Sequence, residues 1–157
     1  MKAASANEIK QQLKATSPAQ LIELCLRLAR FKKENKELLS FLLFEADDLP
    51  AYISSVKQQI DEEFSQINTS NIYFAKKTIR KILRTANKHI RYTASKEAEA
   101  EILIHYLTNF KGLKISWNKS TALVNLYNAQ IKKIKAAIAT MHEDLQYDYL
   151  RSVERLA

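Results

Sequence analysis

Glycine occurs once and proline twice in 157 residues. Sheets need glycine and Asn-Gly turns to fold strands back on themselves, and this chain holds no such turn. With Gly112 alone, a glycine-rich phosphate loop is impossible, and so is a Gly-x-Ser-x-Gly nucleophile turn. Cys25 is the single cysteine, so no internal disulfide forms and a reducing cytoplasm fits. The first residues, Met1 to Leu13, hold no apolar signal core, and the longest apolar run is Phe41-Leu-Leu-Phe44. That is far short of the roughly 20 residues that span a bilayer. These absences predict a soluble, cytoplasmic protein without a membrane span. Metal motifs are missing as well, with neither Glu-x-x-His nor His-Glu-x-x-His present; no cofactor is expected.

What is present favours helix. Ala, Leu, Lys, Glu, Ile and Gln dominate, most of them good helix formers. A hydrophobic share of 46% against 27% charged is ordinary for a globular chain, and excludes a disordered or membrane composition. The length suits one all-helical domain over 1–157. Ala6, Ile9 and Leu13 predict a short, weakly attached helix within residues 1–16. Ser17-Pro18-Ala19-Gln20 is a capping box with proline at the first helical position. It opens a helix to about Phe31, whose face of Leu21, Leu24, Cys25 and Leu28 is expected to be buried, with an inert thiol. Residues 37–45 are apolar nearly all round, the pattern of a central helix covered on several sides. Asp48 and Pro50 open a fourth helix, with Ile53, Val56, Ile60, Phe64 and Ile67 inward. A basic helix occupies 71–92. Acids at Glu97, Glu99 and Glu101 then favour a sixth helix start, and Gly112 is expected to end it in the left-handed conformation.

From residue 118 onward Val124, Tyr127, Ile131, Ile134, Ile138, Met141 and Leu145 form a 3.5-residue seam. It predicts a long C-terminal helix, or a helix pair, over 118–156, with Asp144 as a candidate cap for the second member. The seam suits burial within the chain better than a homodimer. Short turns between helices predict antiparallel hairpins forming a compact bundle or a short α-α superhelix.

The chain's charge is concentrated. Its net charge is +8, and the window Ser70–Lys96 holds eight basic residues and no acid. Elsewhere 17 basic residues face 17 acids. On a helical wheel Lys76, Lys77, Arg80, Lys81, Arg84, Lys88 and Arg91 fall within about 140°. Ile72, Ala75, Ile79, Ile82, Leu83, Ala86 and Ile90 fall within about 100° on the other side. Two readings of the basic arc stand. It can bind an anionic partner, with Tyr73 and Tyr92 placed to stack on bases if that partner is a nucleic acid. Alternatively, hairpin geometry brings Asp61-Glu62-Glu63 and Glu97, Glu99 and Glu101 alongside, and they neutralise it. A membrane-surface role for this helix is disfavoured, because its apolar stripe serves the core and carries no Trp or Phe anchor.

Two smaller candidates remain. Glu101 and His105 stand four apart on one helix, a spacing compatible with metal ligation, although a core-edge histidine bonded to Glu101 explains it as well. Tyr147, Tyr149, Tyr127 and Trp117 could form an aromatic peptide groove or pack the last helix onto the bundle. The sequence thus points away from an enzyme. It points towards a non-catalytic helical binding or scaffold module whose basic helix 71–92 engages an anionic partner, an acidic protein or a nucleic acid. The alternatives are a nucleic-acid-binding accessory protein using the same face, or a small helical enzyme or metal protein around Glu101 and His105.

Overall fold

The computed structural model describes all 157 residues. It is all-helical, with no strand. No helix is long and apolar enough to cross a membrane. The chain divides into two compact units, Met1–Phe44 and Glu45–Ala157.

The first unit holds α1 (Ala6–Lys14), α2 (Pro18–Phe31) and α3 (Lys33–Ser40), followed by a π turn at Phe41–Glu45 that runs into the second unit. Two capping boxes start the first two helices. Ser5 accepts from the Glu8 amide while Glu8 takes the Ser5 amide, and Ser17 and Gln20 repeat the exchange. The second box is the one expected. The Asn35 amide donates to the Leu28 carbonyl at 2.9 Å, tying α3 to α2.

Burial here departs from expectation. α2 and α3 have no buried residue, and Cys25 is exposed rather than enclosed. The segment expected at the centre leaves Leu42, Leu43 and Phe44 in solvent, with only Phe41 buried. The reason is structural economy. An apolar circumference states what a helix needs as cover, not that the neighbours exist, and in this unit the principal helix pairing is α2 with α3.

The second unit is built around α6 (Lys96–Lys111). It packs against α4 (Leu49–Ser65), α5 (Ile72–Thr93), α7 (Thr121–Ile138) and α8 (Glu143–Glu154). Its Ala98, Ile102, Leu103, Tyr106, Leu107 and Phe110, the expected inner face, are all buried, and so are Glu99 and Ala100. Each fully buried large apolar side chain contributes about 1.5–3 kcal/mol, so α6 carries much of the unit's cohesion. Side-chain caps begin every helix of the unit: Asp48, Asn71, Ser95, Ser120 and His142. Aromatic rings run through one end of the core. Phe64 meets Tyr106 at 5.4 Å, Phe110 meets Trp117 at 5.1 Å, and Trp117 stacks on Tyr127 at 4.9 Å. The Tyr127 hydroxyl donates to the Leu156 carbonyl at 2.7 Å and pins the last residues.

Two local expectations are corrected. Gly112 sits in the right-handed region (φ −74, ψ −8), and a Cβ there would meet its neighbours only at an ordinary 3.5 Å. The left-handed position falls instead on Ala94, φ 49, where α5 turns into α6. The second concerns the C-terminal segment, where the helix pair is the alternative present but its start and cap differ from expectation. A short 3-10 turn at Trp117–Lys119 precedes α7, so that helix starts at 121. It ends at Ile138, and α8 is a separate helix capped by His142, not by Asp144. The seam therefore buries Tyr127, Ile134 and Ile138 but leaves Leu145 exposed.

Candidate functional site

Asn71 starts α5 by accepting from the amides of Tyr73 and Phe74 at 2.9 and 3.3 Å. Twenty-two residues then run for about 33 Å. Ala75, Ile79, Ile82, Ala86 and Ile90 are buried against the core. The buried Tyr106 hydroxyl donates to the Ile79 carbonyl at 2.9 Å and holds α5 on α6. With the inner face anchored, the basic residues turn outward. Lys77, Arg80, Lys81, Arg84 and Arg91 are exposed, and Lys76 and Lys88 are half-buried.

Four of these cations share one concavity. Lys77, Arg80, Lys81 and Arg84 line an open groove of about 680 Å³ together with Thr78, Leu83 and Leu126. The floor is apolar and the rim cationic. Leu126 belongs to α7 and lies off the expected seam, an apolar side chain the seam does not account for. Arg91 lies apart, in a cleft of about 450 Å³ with Asn87, Lys96, Glu99 and Lys133. There Glu99 is only 7% exposed and is held by Lys96 at 2.8 Å and Lys133 at 3.6 Å.

Of the acids expected to mask the basic arc, Asp61, Glu63, Glu97 and Glu101 are engaged elsewhere, while Glu99 shares the cleft of Arg91. Asp61 meets His105 at 2.6 Å and Asn109 at 2.8 Å, both on α6. Glu63 accepts from Gln59. Glu101 pairs with Lys57 at 2.7 Å. The Tyr149 hydroxyl donates to Glu101 at 3.0 Å and to Glu97 at 3.3 Å. No ion pair reaches Lys76, Lys77, Arg80, Lys81, Arg84 or Arg91. Lys77 instead lies 4.6 Å from the centre of the Tyr73 ring. Asp61 and Glu101 join α4 to α6, not α4 or α6 to α5.

The other candidates resolve into packing. His105 bonds Asp61 rather than Glu101, and no three His, Cys, Asp or Glu side chains converge to hold a metal. Tyr92 is buried, which removes it as a base-stacking ring. Trp117, Tyr127 and Tyr149 are used internally, and Tyr147 alone of that set stays exposed.

No protein-family model, curated protein or solved structure matches this chain.

The cationic groove is therefore read from its own chemistry. Lys76 and Arg80, Lys77 and Lys81, and Arg80 and Arg84 stand four apart on α5. Like charges at that spacing each destabilise a helix by a few tenths of a kcal/mol, about 0.2–0.5. With no acid opposite, the arrangement is a standing cost to the fold that a bound anion would relieve.

Proposed function

We propose that the protein is a non-catalytic binding module whose basic helix α5 receives an anionic protein partner. The observation that carries this reading is the groove in which Lys77, Arg80, Lys81 and Arg84 gather over Leu83 and Leu126 with no acid among its lining residues. A floor of leucine under a rim of cations matches a segment that is acidic on one side and apolar on the other. An amphipathic acidic helix fits this description, laying its apolar residues in the groove. The cations steer it in and set its orientation. The burial of Tyr92 weighs against the alternative of stacked bases.

Fluorescence anisotropy of a labelled Glu/Leu amphipathic peptide tests it, run beside random duplex DNA and single-stranded RNA at two salt concentrations. The peptide should bind at low salt and weaken as salt rises. Arg80→Glu with Arg84→Glu should abolish binding while the helical circular dichroism stays the same. If the peptide fails to bind at low salt, the reading is wrong. If only the nucleic acids bind, the same face belongs to a nucleic-acid-binding protein.

A further inference from the structure

The first unit carries a face that the basic groove does not explain. Advancing about 100° per residue along α2, Leu24, Cys25, Leu28 and Phe31 fall within about 120°. Glu23, Arg27 and Arg30 fall outside that arc. α3 and the π turn add Leu38 and Leu42 beside them. Cys25, Leu28, Leu38 and Leu42 line a groove of about 240 Å³ along the α2–α3 hairpin, and no charged residue lines it. Leu28 is 61% exposed, Phe31 77% and Leu42 56%. The one amide in the groove, Asn35, already donates to the Leu28 carbonyl.

We propose that this face is covered by the same face of a second copy, giving a two-fold dimer in which two α2–α3 hairpins form a four-helix bundle. Three observations select that occupant. First, the groove offers no charge to an acidic peptide or an anionic lipid surface. The cations of this hairpin, Arg30, Lys32, Lys33 and Lys36, line an adjoining groove with Leu43 and Phe44, which shares only Ala29 and Leu39 with the uncharged one. Second, an uncharged apolar face is complementary to itself, as a two-fold interface requires. Third, the area suffices. The exposed parts of Leu24, Leu28, Phe31, Leu38 and Leu42 amount to roughly 500 Å² in each copy, about 1,000 Å² in the pair, which reaches the lower bound of a specific interface. Pairs of antiparallel helices close in this way into four-helix bundles with an apolar centre.

Sedimentation equilibrium of the full chain over a wide concentration range tests the proposal. The expected mass is twice that of the chain. Leu28→Glu with Leu42→Glu should return it to the monomer mass with unchanged helical circular dichroism, because both residues are exposed and their loss empties no core. Leu43→Glu with Phe44→Glu, on the other groove, should leave the dimer intact. Reaction of Cys25 with a thiol reagent should slow several-fold as concentration carries the protein from monomer to dimer. A monomer at every concentration overturns the proposal, as does a dimer that survives the Leu28 and Leu42 changes. If the monomer reacts slowly at Cys25, the face is covered from within the chain. If the monomer floats with phosphatidylglycerol vesicles, the face belongs to a bilayer.

Discussion

Tyr149 joins the last helix to the centre of the second unit through two carboxylates at once. Burial first, and then Glu101 and Glu97, hold its hydroxyl protonated well above the ordinary tyrosine range. Burial also raises Tyr106 and Tyr127. A folded value above the unfolded one, about 10 for tyrosine, gives stability that is complete below that pH and is lost as pH rises through the folded value. Unfolding by denaturant should therefore show the second unit weakening above about pH 10. Tyr149→Phe gives up its two hydrogen bonds at neutral pH, yet should lose less between pH 8 and 11 than the parent. Equal losses in the two proteins would show that Tyr149 does not carry this term. The sequence flagged Tyr149 as a ring that packs the last helix onto the bundle, but not the carboxylates it bonds. Its partners stand 48 and 52 residues away, and only the docking of α8 beside α6 brings them together. Cys25 shows the opposite error, since its apolar neighbours in sequence implied burial but only a packed neighbour could provide it.

Helix starts were legible where a cap is local, and not at α3, which Lys32 opens with no side-chain cap and which starts at 33 rather than 37. Ser17, Asp48 and the polar run before α5 read directly as boundaries, since the groups that satisfy a helix's first amides lie within three residues of it. Which helix is central was not legible. The pattern favoured residues 37–45, whereas α6 holds that place because four other helices converge on it. Substitution separates the two assignments. Leu107→Ala, fully buried on α6, should cost about 2–5 kcal/mol in a denaturant titration. Leu43→Ala, exposed in the π turn, should stay within about 0.5 kcal/mol. Comparable costs would restore the segment 37–45 to the core. The two-faced character of α5 was equally local and equally legible, and the absence of an ion pair at Lys77, Arg80, Lys81 and Arg84 was not. The like charges along that helix lead to a further expectation. Lys81→Glu places an acid four residues after Lys77 and three before Arg84, turning repulsions into attractions. The variant should gain roughly 0.5–1 kcal/mol of stability and lose roughly tenfold or more in affinity for the acidic peptide. If stability and affinity move together instead, the cations serve the fold and not a partner.

Across the whole molecule, both units are cationic for different reasons. Residues 1–44 carry eight basic side chains and four acidic ones, and residues 45–157 carry 17 against 13. In the second unit the surplus lines an open groove that an anion would fill. In the first it surrounds an uncharged face, where a like-charged second copy must approach against it. Salt therefore acts on the two surfaces in opposite directions. Raising NaCl from about 0.05 to about 0.5 M shortens the screening length from roughly 14 to roughly 4 Å. Attraction between the α5 groove and an acidic peptide should weaken by at least about tenfold, because bound cations no longer gain as much from meeting the peptide's charges. Dimerisation through Leu28, Phe31 and Leu42 should hold or tighten, since apolar burial is indifferent to screening while the repulsion between the copies is reduced. Anisotropy and sedimentation on one preparation at the two salt concentrations read both effects. If both weaken together, the contact between copies is electrostatic and is not made by the apolar face. If neither changes, the α5 groove is not what holds the peptide.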